Sequence, residues 1–267
     1  MSKKTTHSMC AVVAALVVAT TSFAGETVKP TSPIASRGEG TVSGTLSLNA
    51  VSGQVFRGQV LDTGMSYQPS LTLSVPVDLS RIGFDGAALQ LQTTQSFNQN
   101  SPTAGWFRSE VDLGVSLTKG AFVITPSYQF FSSPTSKFES AQGFNIKVGV
   151  KEEYTYGLKP YVSGFFGVQG NANNGTKPGS YYETGISPSF KIGQTTVTIP
   201  AALGLGSRNY YANNKTTGYG VIGVHSTTPL TQNLNFVAGV DCWHAAKSLG
   251  NSNQNNVTTS IGLSYTF

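Results

Sequence analysis

From Val42 to Phe267 the chain alternates apolar and small polar residues with a period of two, segment after segment. The final stretch, NNVTTSIGLSYTF, is the clearest case. Val257, Thr259, Ile261, Leu263, Tyr265 and Phe267 fall on one side, and Thr258, Ser260, Gly262, Ser264 and Thr266 on the other. Successive side chains of a strand point to opposite faces, so this pattern builds a two-faced wall and argues against a helix. No segment after the N-terminus approaches the roughly 20 consecutive apolar residues that a membrane helix needs.

The alternation predicts twelve strands. Val42 to Arg57 reads as the first, with Leu46, Leu48 and Ala50 on one face and a bulge near Ser52-Gly53, where the period slips. The next five carry Leu71 to Leu79, Ala87 to Phe97, Phe107 to Leu117, Phe122 to Phe130, and Phe144 to Val150. The seventh, Leu158 to Gln169, is weak because Phe165 and Phe166 are adjacent. The eighth to eleventh carry Tyr182 to Ile192, Val197 to Leu205, Ile222 with Val224, and Leu234 to Cys242; the twelfth is the C-terminal stretch. Connections after even strands are mostly short, such as Lys119-Gly120 and Gly193-Gln194. Those after odd strands are longer and rich in Asn, such as NQNSPTAG and AAKSLGNSNQNN. Short turns at one end and long loops at the other, with an even strand count, is the pattern of a bacterial outer-membrane barrel. Three prolines resist it. Pro126, Pro188 and Pro200 fall inside strands, each removes a ladder donor, and a closed barrel has no edge to place them on.

Composition agrees with the barrel. Charged residues are 11% of the chain, less than half the roughly 25% of soluble proteins. Yet hydrophobic residues are only 39%; Gly, Ser, Thr, Asn and Gln have replaced the charge. Lipid outside and polar inside needs that mixture. Aromatic residues cluster at two levels. Phe56, Tyr67, Phe97, Trp106, Phe107, Phe130, Phe131, Tyr181, Tyr182, Tyr210, Tyr211, Tyr219 and Trp243 border the long loops, while Phe84, Phe122, Tyr154, Tyr156, Phe190 and Phe267 lie near the short turns. Two interfacial girdles are expected of a membrane barrel; a soluble sandwich has no comparable cause for them.

Residues 1–24 read as a signal peptide: Lys3 and Lys4, an apolar run from Ala11 to Val18, and Ser22-Phe23-Ala24 as a small-x-small cleavage site. A membrane anchor is the other reading of such a run, but it is short by about half. Residues 25–40 read as a flexible linker rich in Pro, Ser and Gly, and residues 41–267 as the barrel. Cys242 is the one cysteine after the signal, so export comes without an intramolecular disulfide. The net charge of +5 includes Lys3 and Lys4, and no dense basic run remains, so nucleic acid is not an expected partner.

Chemistry is sparse. The inward face carries Gln92, Arg108, Glu110, Asp112, Lys147, Glu183 and Asp241 amid Gly, Ser and Thr. Arg108, Glu110 and Asp112 stand about 6.7 Å apart on one strand face as a column of mixed charge. Such a lining either contacts permeating solutes or braces a narrow barrel from within. His225 and Ser226 are neighbours on a strand and point to opposite faces, so they are not a catalytic dyad. His244 belongs with the interfacial belt. No zinc-protease, nucleophile-elbow or metal-spaced motif occurs; neither catalysis, a metal nor a cofactor is expected.

The stretch VSGQVFRGQVLDTGMSYQPSLTLSV, about a tenth of the chain, resembles the opening of the TorF-like porin family. The resemblance rests on Val55, Phe56, Arg57 and Gly58, followed by Gln68-Pro69 in the returning strand; Ser52-Gly53-Gln54 departs from it where an aromatic residue would stand. It implies a porin-type barrel and Arg57 as a rim or lumen contact near the outer mouth. The combined expectation is an all-β, antiparallel up-and-down barrel of a Gram-negative outer membrane, both termini periplasmic, passing small polar solutes through a narrow lumen. The competing expectation is a structural or adhesive barrel, plugged by its own side chains and acting through its Asn-rich loops. Outer-membrane lipid and the barrel-assembly machinery are the expected partners, with Tyr265 and Phe267 as the assembly signal.

Overall fold

A computed structural model describes residues 42–100, 103–170, 178–211 and 215–267. The expected signal segment and linker, and parts of three Asn-rich loops (residues 101–102, 171–177 and 212–214), lie outside the described residues. Among them the chain forms β1 (Ser43–Val51), β2 (Gln54–Phe56), β3 (Gln59–Asp62), β4 (Ser66–Pro76), β5 (Gly86–Asn98), β6 (Gly105–Lys119), β7 (Phe122–Ser132) and β8 (Ala141–Val150). It continues with β9 (Tyr161–Gln169), β10 (Ser180–Ile186), β11 (Ser189–Ile192), β12 (Thr195–Thr198), β13 (Ala201–Gly206), β14 (Thr217–Pro229), β15 (Leu234–Ala245) and β16 (Asn255–Thr266). All barrel pairings are antiparallel between neighbours, and β16 returns to β1, closing a barrel of 12 staves.

Closure is specific at the last residue. The Gly44 N–H donates to the Phe267 carbonyl at 2.9 Å, and the Phe267 N–H to the Gly44 carbonyl at 3.0 Å. The Phe267 ring lies over Gly44, so close that an added Cβ there would meet it at 2.4 Å. Leu46 faces Tyr265 and Leu48 faces Leu263 across this seam. The outer surface is the apolar half of the alternation: Leu48, Leu113, Phe144, Ile146, Leu203, Ile222 and Ile261 all point away from the lumen and are exposed. Such a surface suits lipid.

The prolines are accommodated by interrupting the ladder. Pairing of β6 with β7 passes from Gly114↔Ser127 to Leu117↔Ile124, skipping Pro126. Pro188 and Pro200 break two staves into β10 with β11 and β12 with β13, and the breaks lie side by side. Register on β14 runs through the break unchanged, from Ala201↔Ile222 to Thr198↔His225. The prolines' own carbonyls keep their partners across the break: the Ile199 N–H donates to Pro188 at 2.9 Å and the Gly223 N–H to Pro200 at 2.8 Å. The adjacent phenylalanines of β9 divide between faces. Phe165 is buried inside, while Phe166 is exposed and packs on Tyr182 with centroids 5.9 Å apart.

Two expectations need correction. The first strand does not run to Arg57: it ends at Val51, and Gln54–Asp62 is a separate two-stranded hairpin that pairs with no stave. Phe107 is not on the outer face. A register shift opposite Ser96 and Phe97 makes it the extra residue of β6, and it is buried against Phe138, centroids 5.5 Å apart. At the short-turn end, the Asp78 carboxylate accepts the Ser80 hydroxyl and backbone N–H at 2.6 and 2.9 Å, which holds its pKa below the ordinary value.

Candidate functional site in the lumen

The hairpin turns inward because of Arg57-Gly58. Phe56 faces Gln59, so these two residues are the whole loop, and both have positive φ, +48° and +77°. That is the mirror-image turn that suits the twist of a tight hairpin. Glycine is required at the second position: a Cβ on Gly58 would lie 2.5 Å from the Tyr219 ring. Asn251 clamps the turn, donating to the Gly58 carbonyl at 2.7 Å and accepting from the Val60 N–H at 3.0 Å. The Gln54 amide donates to Ser96 at 2.9 Å and accepts from Asn98 at 3.0 Å.

Arg57 is 2% exposed. Its guanidinium carbon lies 4.5 Å from the Tyr181 centroid, 4.7 Å from Phe165, 4.9 Å from Phe56, 5.5 Å from Tyr210 and 5.7 Å from Phe131. Nη1 donates to the Tyr210 hydroxyl, and Nη2 to Gln129 Oε1 at 3.1 Å. The Tyr211 hydroxyl donates to the Arg57 carbonyl at 2.7 Å. A buried cation has lost its water, and aromatic faces and hydrogen bonds offset that cost. Gln129 Nε2 in turn donates to Asp112 at 2.9 Å, which links the hairpin tip to the charged column of β6.

Beneath the hairpin lies a cavity of about 140 Å³, walled by β4 to β10. Arg57, Gln92, Arg108, Glu110, Asp112, Lys147 and Glu183, all singled out from sequence, line it. Arg108 pairs with Glu110 at 3.2 Å, and its guanidinium carbon sits 3.3 Å from the Phe56 centroid. Gln92 stands opposite Asp112 in the β5–β6 register. Lys147 Nζ lies 4.2 Å over the Tyr161 ring. The Glu183 carboxylate accepts three phenol hydroxyls, from Tyr161 at 2.6 Å, Tyr181 at 2.5 Å and Tyr219 at 2.7 Å. Both signs of charge are thus present, each held in a fixed network. Asp241 points inward too, but on β15, outside this wall, where it meets His225 Nε2 at 2.9 Å. Tyr265 and Phe267 stack on the outer surface with centroids 6.3 Å apart.

Sequence reasoning missed the inserted hairpin, the Gln129 bridge and the tyrosines around Glu183. It also treated the upper aromatics as one girdle. Tyr67, Phe97, Trp106, Phe130 and Tyr182 are exposed on the wall, whereas Phe56, Phe131, Tyr181, Tyr210, Tyr211, Tyr219 and Trp243 are buried within. Strand parity is the available signal for Phe131, Tyr181, Tyr219 and Trp243. It gives none for Phe56, which shares the parity of the outward Leu46 and Leu48, or for Tyr210 and Tyr211, which lie in a connection. Among the described residues no group of His, Cys, Asp and Glu could hold a metal ion.

No protein-family model matches the chain, and no curated protein does. Solved structures do. The chain is similar to the NanC porin at 13% identity, covering 83% of this chain and 98% of that one with a TM-score of 0.51. It is also similar to an outer membrane channel from Pseudomonas putida F1 at 9% identity, covering 86% and 97% with a TM-score of 0.54. At these identities the likeness carries the fold: a closed transmembrane β-barrel of the outer-membrane type.

Proposed function

We propose that the chain is an outer-membrane channel for small polar solutes, with the Gln54–Asp62 hairpin as its constriction. The cavity carries the reading: neighbouring staves turn amides, hydroxyls and charges of both signs toward one polar space beneath the hairpin. Eight-stranded barrels are filled by their own side chains, and those of sixteen to eighteen strands leave a wide channel. Twelve staves with an inserted hairpin leave a narrow path, and the mixed lining gives weak ion preference. Passive diffusion through it uses no catalytic group, cofactor or metal. The two solved likenesses that are called a porin and a channel support this reading, as does the Phe56-Arg57-Gly58 turn for membership in the TorF-like family. The apolar exterior then contacts outer-membrane lipid, and the short-turn end, with Ser43 and Phe267, faces the periplasm. Tyr265 and Phe267 serve as the signal for barrel assembly.

A second reading is favoured by one observation. Arg57, Phe131, Tyr181, Tyr210 and Tyr211 are fully buried around the hairpin, the packing of a structural barrel that works through its outer loops. Liposome swelling separates the two. Proteoliposomes in isosmotic amino acids and sugars of increasing size should swell at a rate that falls with solute size. Absence of swelling for every solute, with folded barrel verified by heat-dependent gel mobility, favours the structural barrel.

A further inference from the structure

We infer that the aromatic cage at the mouth is a guanidinium-binding site that the chain fills with its own Arg57, and that soluble guanidinium compounds compete for it and release the hairpin. Ownership of the parts carries the inference. Of the five rings around the guanidinium, only Phe56 belongs to the hairpin; Phe131 is on β7, Phe165 on β9, Tyr181 on β10 and Tyr210 in the connection before β14. Both acceptors, the Tyr210 hydroxyl and Gln129 Oε1, also belong to the wall. The cation comes from the insert and the receptor from the barrel. The rings are packed on one another, Tyr181 on Tyr210 at 5.3 Å and Phe131 on Phe165 at 5.9 Å, so the cage keeps its shape when the hairpin leaves.

The hairpin can leave without breaking the wall. Its two strands form their own sheet and share no ladder with a stave. Besides Arg57 it is held by side chains: Asn251 hydrogen-bonds both Gly58 and Val60, Tyr211 bonds the Arg57 carbonyl, Thr103 bonds Asp62, Gln54 bonds Ser96 and Asn98, and Phe56 packs on Phe131 and under Arg108. A guanidinium is planar, weakly hydrated and able to stack while its fork donates, which neither sodium nor a tetraalkylammonium ion can do. The cage therefore ranks guanidinium and alkylguanidinium solutes above those cations. The binding site stands apart from the channel reading; only its consequence for flux rests on it.

Two measurements test this without a conducting barrel. Arg57→Ala protein, refolded in detergent, is titrated with guanidinium chloride up to tens of millimolar, far below the molar range that unfolds proteins. Binding is read by line broadening of the guanidinium NMR signal. Saturable binding is expected, weakened about tenfold or more in wild type, whose cage is filled, and in Arg57→Ala/Phe165→Leu/Tyr181→Leu. Wild-type protein is also followed by hydrogen–deuterium exchange over residues 54–62. Guanidinium at about 50 mM should speed exchange roughly two- to fivefold over sodium or tetramethylammonium at equal ionic strength, since a tethered Arg57 competes at an effective concentration in the millimolar range. Equal exchange in the three salts overturns the inference, as does unsaturable binding to Arg57→Ala. If that variant does not fold, the exchange experiment decides alone. Failure of both measurements beside normal solute flux removes the cage and leaves the channel standing.

Discussion

Replacing Gly58 with alanine should undock the hairpin without opening the barrel. The added methyl meets the Tyr219 ring at 2.5 Å, in a backbone with φ +77°. The left-handed conformation alone costs a non-glycine residue about 1–2 kcal/mol. The ring cannot yield cheaply: it is buried, its hydroxyl is bound by Glu183, and it packs against Trp243 with centroids 5.4 Å apart. Overpacking of this kind costs about 1–3 kcal/mol. Together, about 2–5 kcal/mol lowers the docked-to-undocked ratio from about 30-fold to several thousand-fold. The loss falls on the hairpin because β2 and β3 pair with no stave. Trypsin reports it, since the Arg57–Gly58 bond is itself a cleavage site and Arg57 is buried when docked. With opening fast relative to cleavage, the rate tracks the open population. Cleavage after Arg57, timed by mass spectrometry, should accelerate at least tenfold in Gly58→Ala, while Gly120→Ala, at a turn with open space around it, leaves it unchanged. A folded Gly58→Ala barrel cut no faster than wild type would refute the docking geometry.

Face assignment is tested by two arginines. Leu113→Arg places a charge on the lipid face and should cost about 2–4 kcal/mol in a denaturant titration of bilayer-inserted protein, whereas Gln92→Arg, opposite Asp112 in the lumen, should cost well under half of that. Glu183→Gln leaves at least one of three tyrosine hydroxyls facing a donor; about 1–3 kcal/mol should be lost, seen as a lower midpoint in heat-dependent gel mobility. Deleting Phe267 removes two backbone hydrogen bonds to Gly44. It should slow barrel assembly while leaving export across the inner membrane intact, and a normal yield of folded barrel would count against the closing role of that residue.

Much of the wall was legible because lipid on one side and water on the other impose a period of two on every stave. Leu71, Leu113, Phe144, Leu203, Ile261 and their neighbours face outward as their alternation implied, and the inward charges follow from the same parity. What was hidden depends on contacts distant in sequence. The period slips at Ser52-Gly53, but a slip followed by Gln54-Val55-Phe56 reads equally as a bulge within one longer strand; only the Arg57-Gly58 pair, suited to a two-residue turn, hints at a hairpin. Its inward fold is decided by Tyr210, Asn251 and Gln129, far along the chain. Phe165-Phe166 looked like a fault in the pattern because one ring serves the cage and the other the lipid face. Pro188 and Pro200 looked unplaceable because a single strand cannot reveal that a second break lies beside the first.

The most direct test is conductance. Val51 and Ser66 are register partners, so residues 52–65 can be replaced by a two-residue turn that leaves the wall intact. Wild type and this variant are compared in planar bilayers under a salt gradient. Expected are small discrete steps with weak ion preference for wild type, and larger steps once the hairpin is gone. Silence from both proteins, each verified as folded, would contradict a channel.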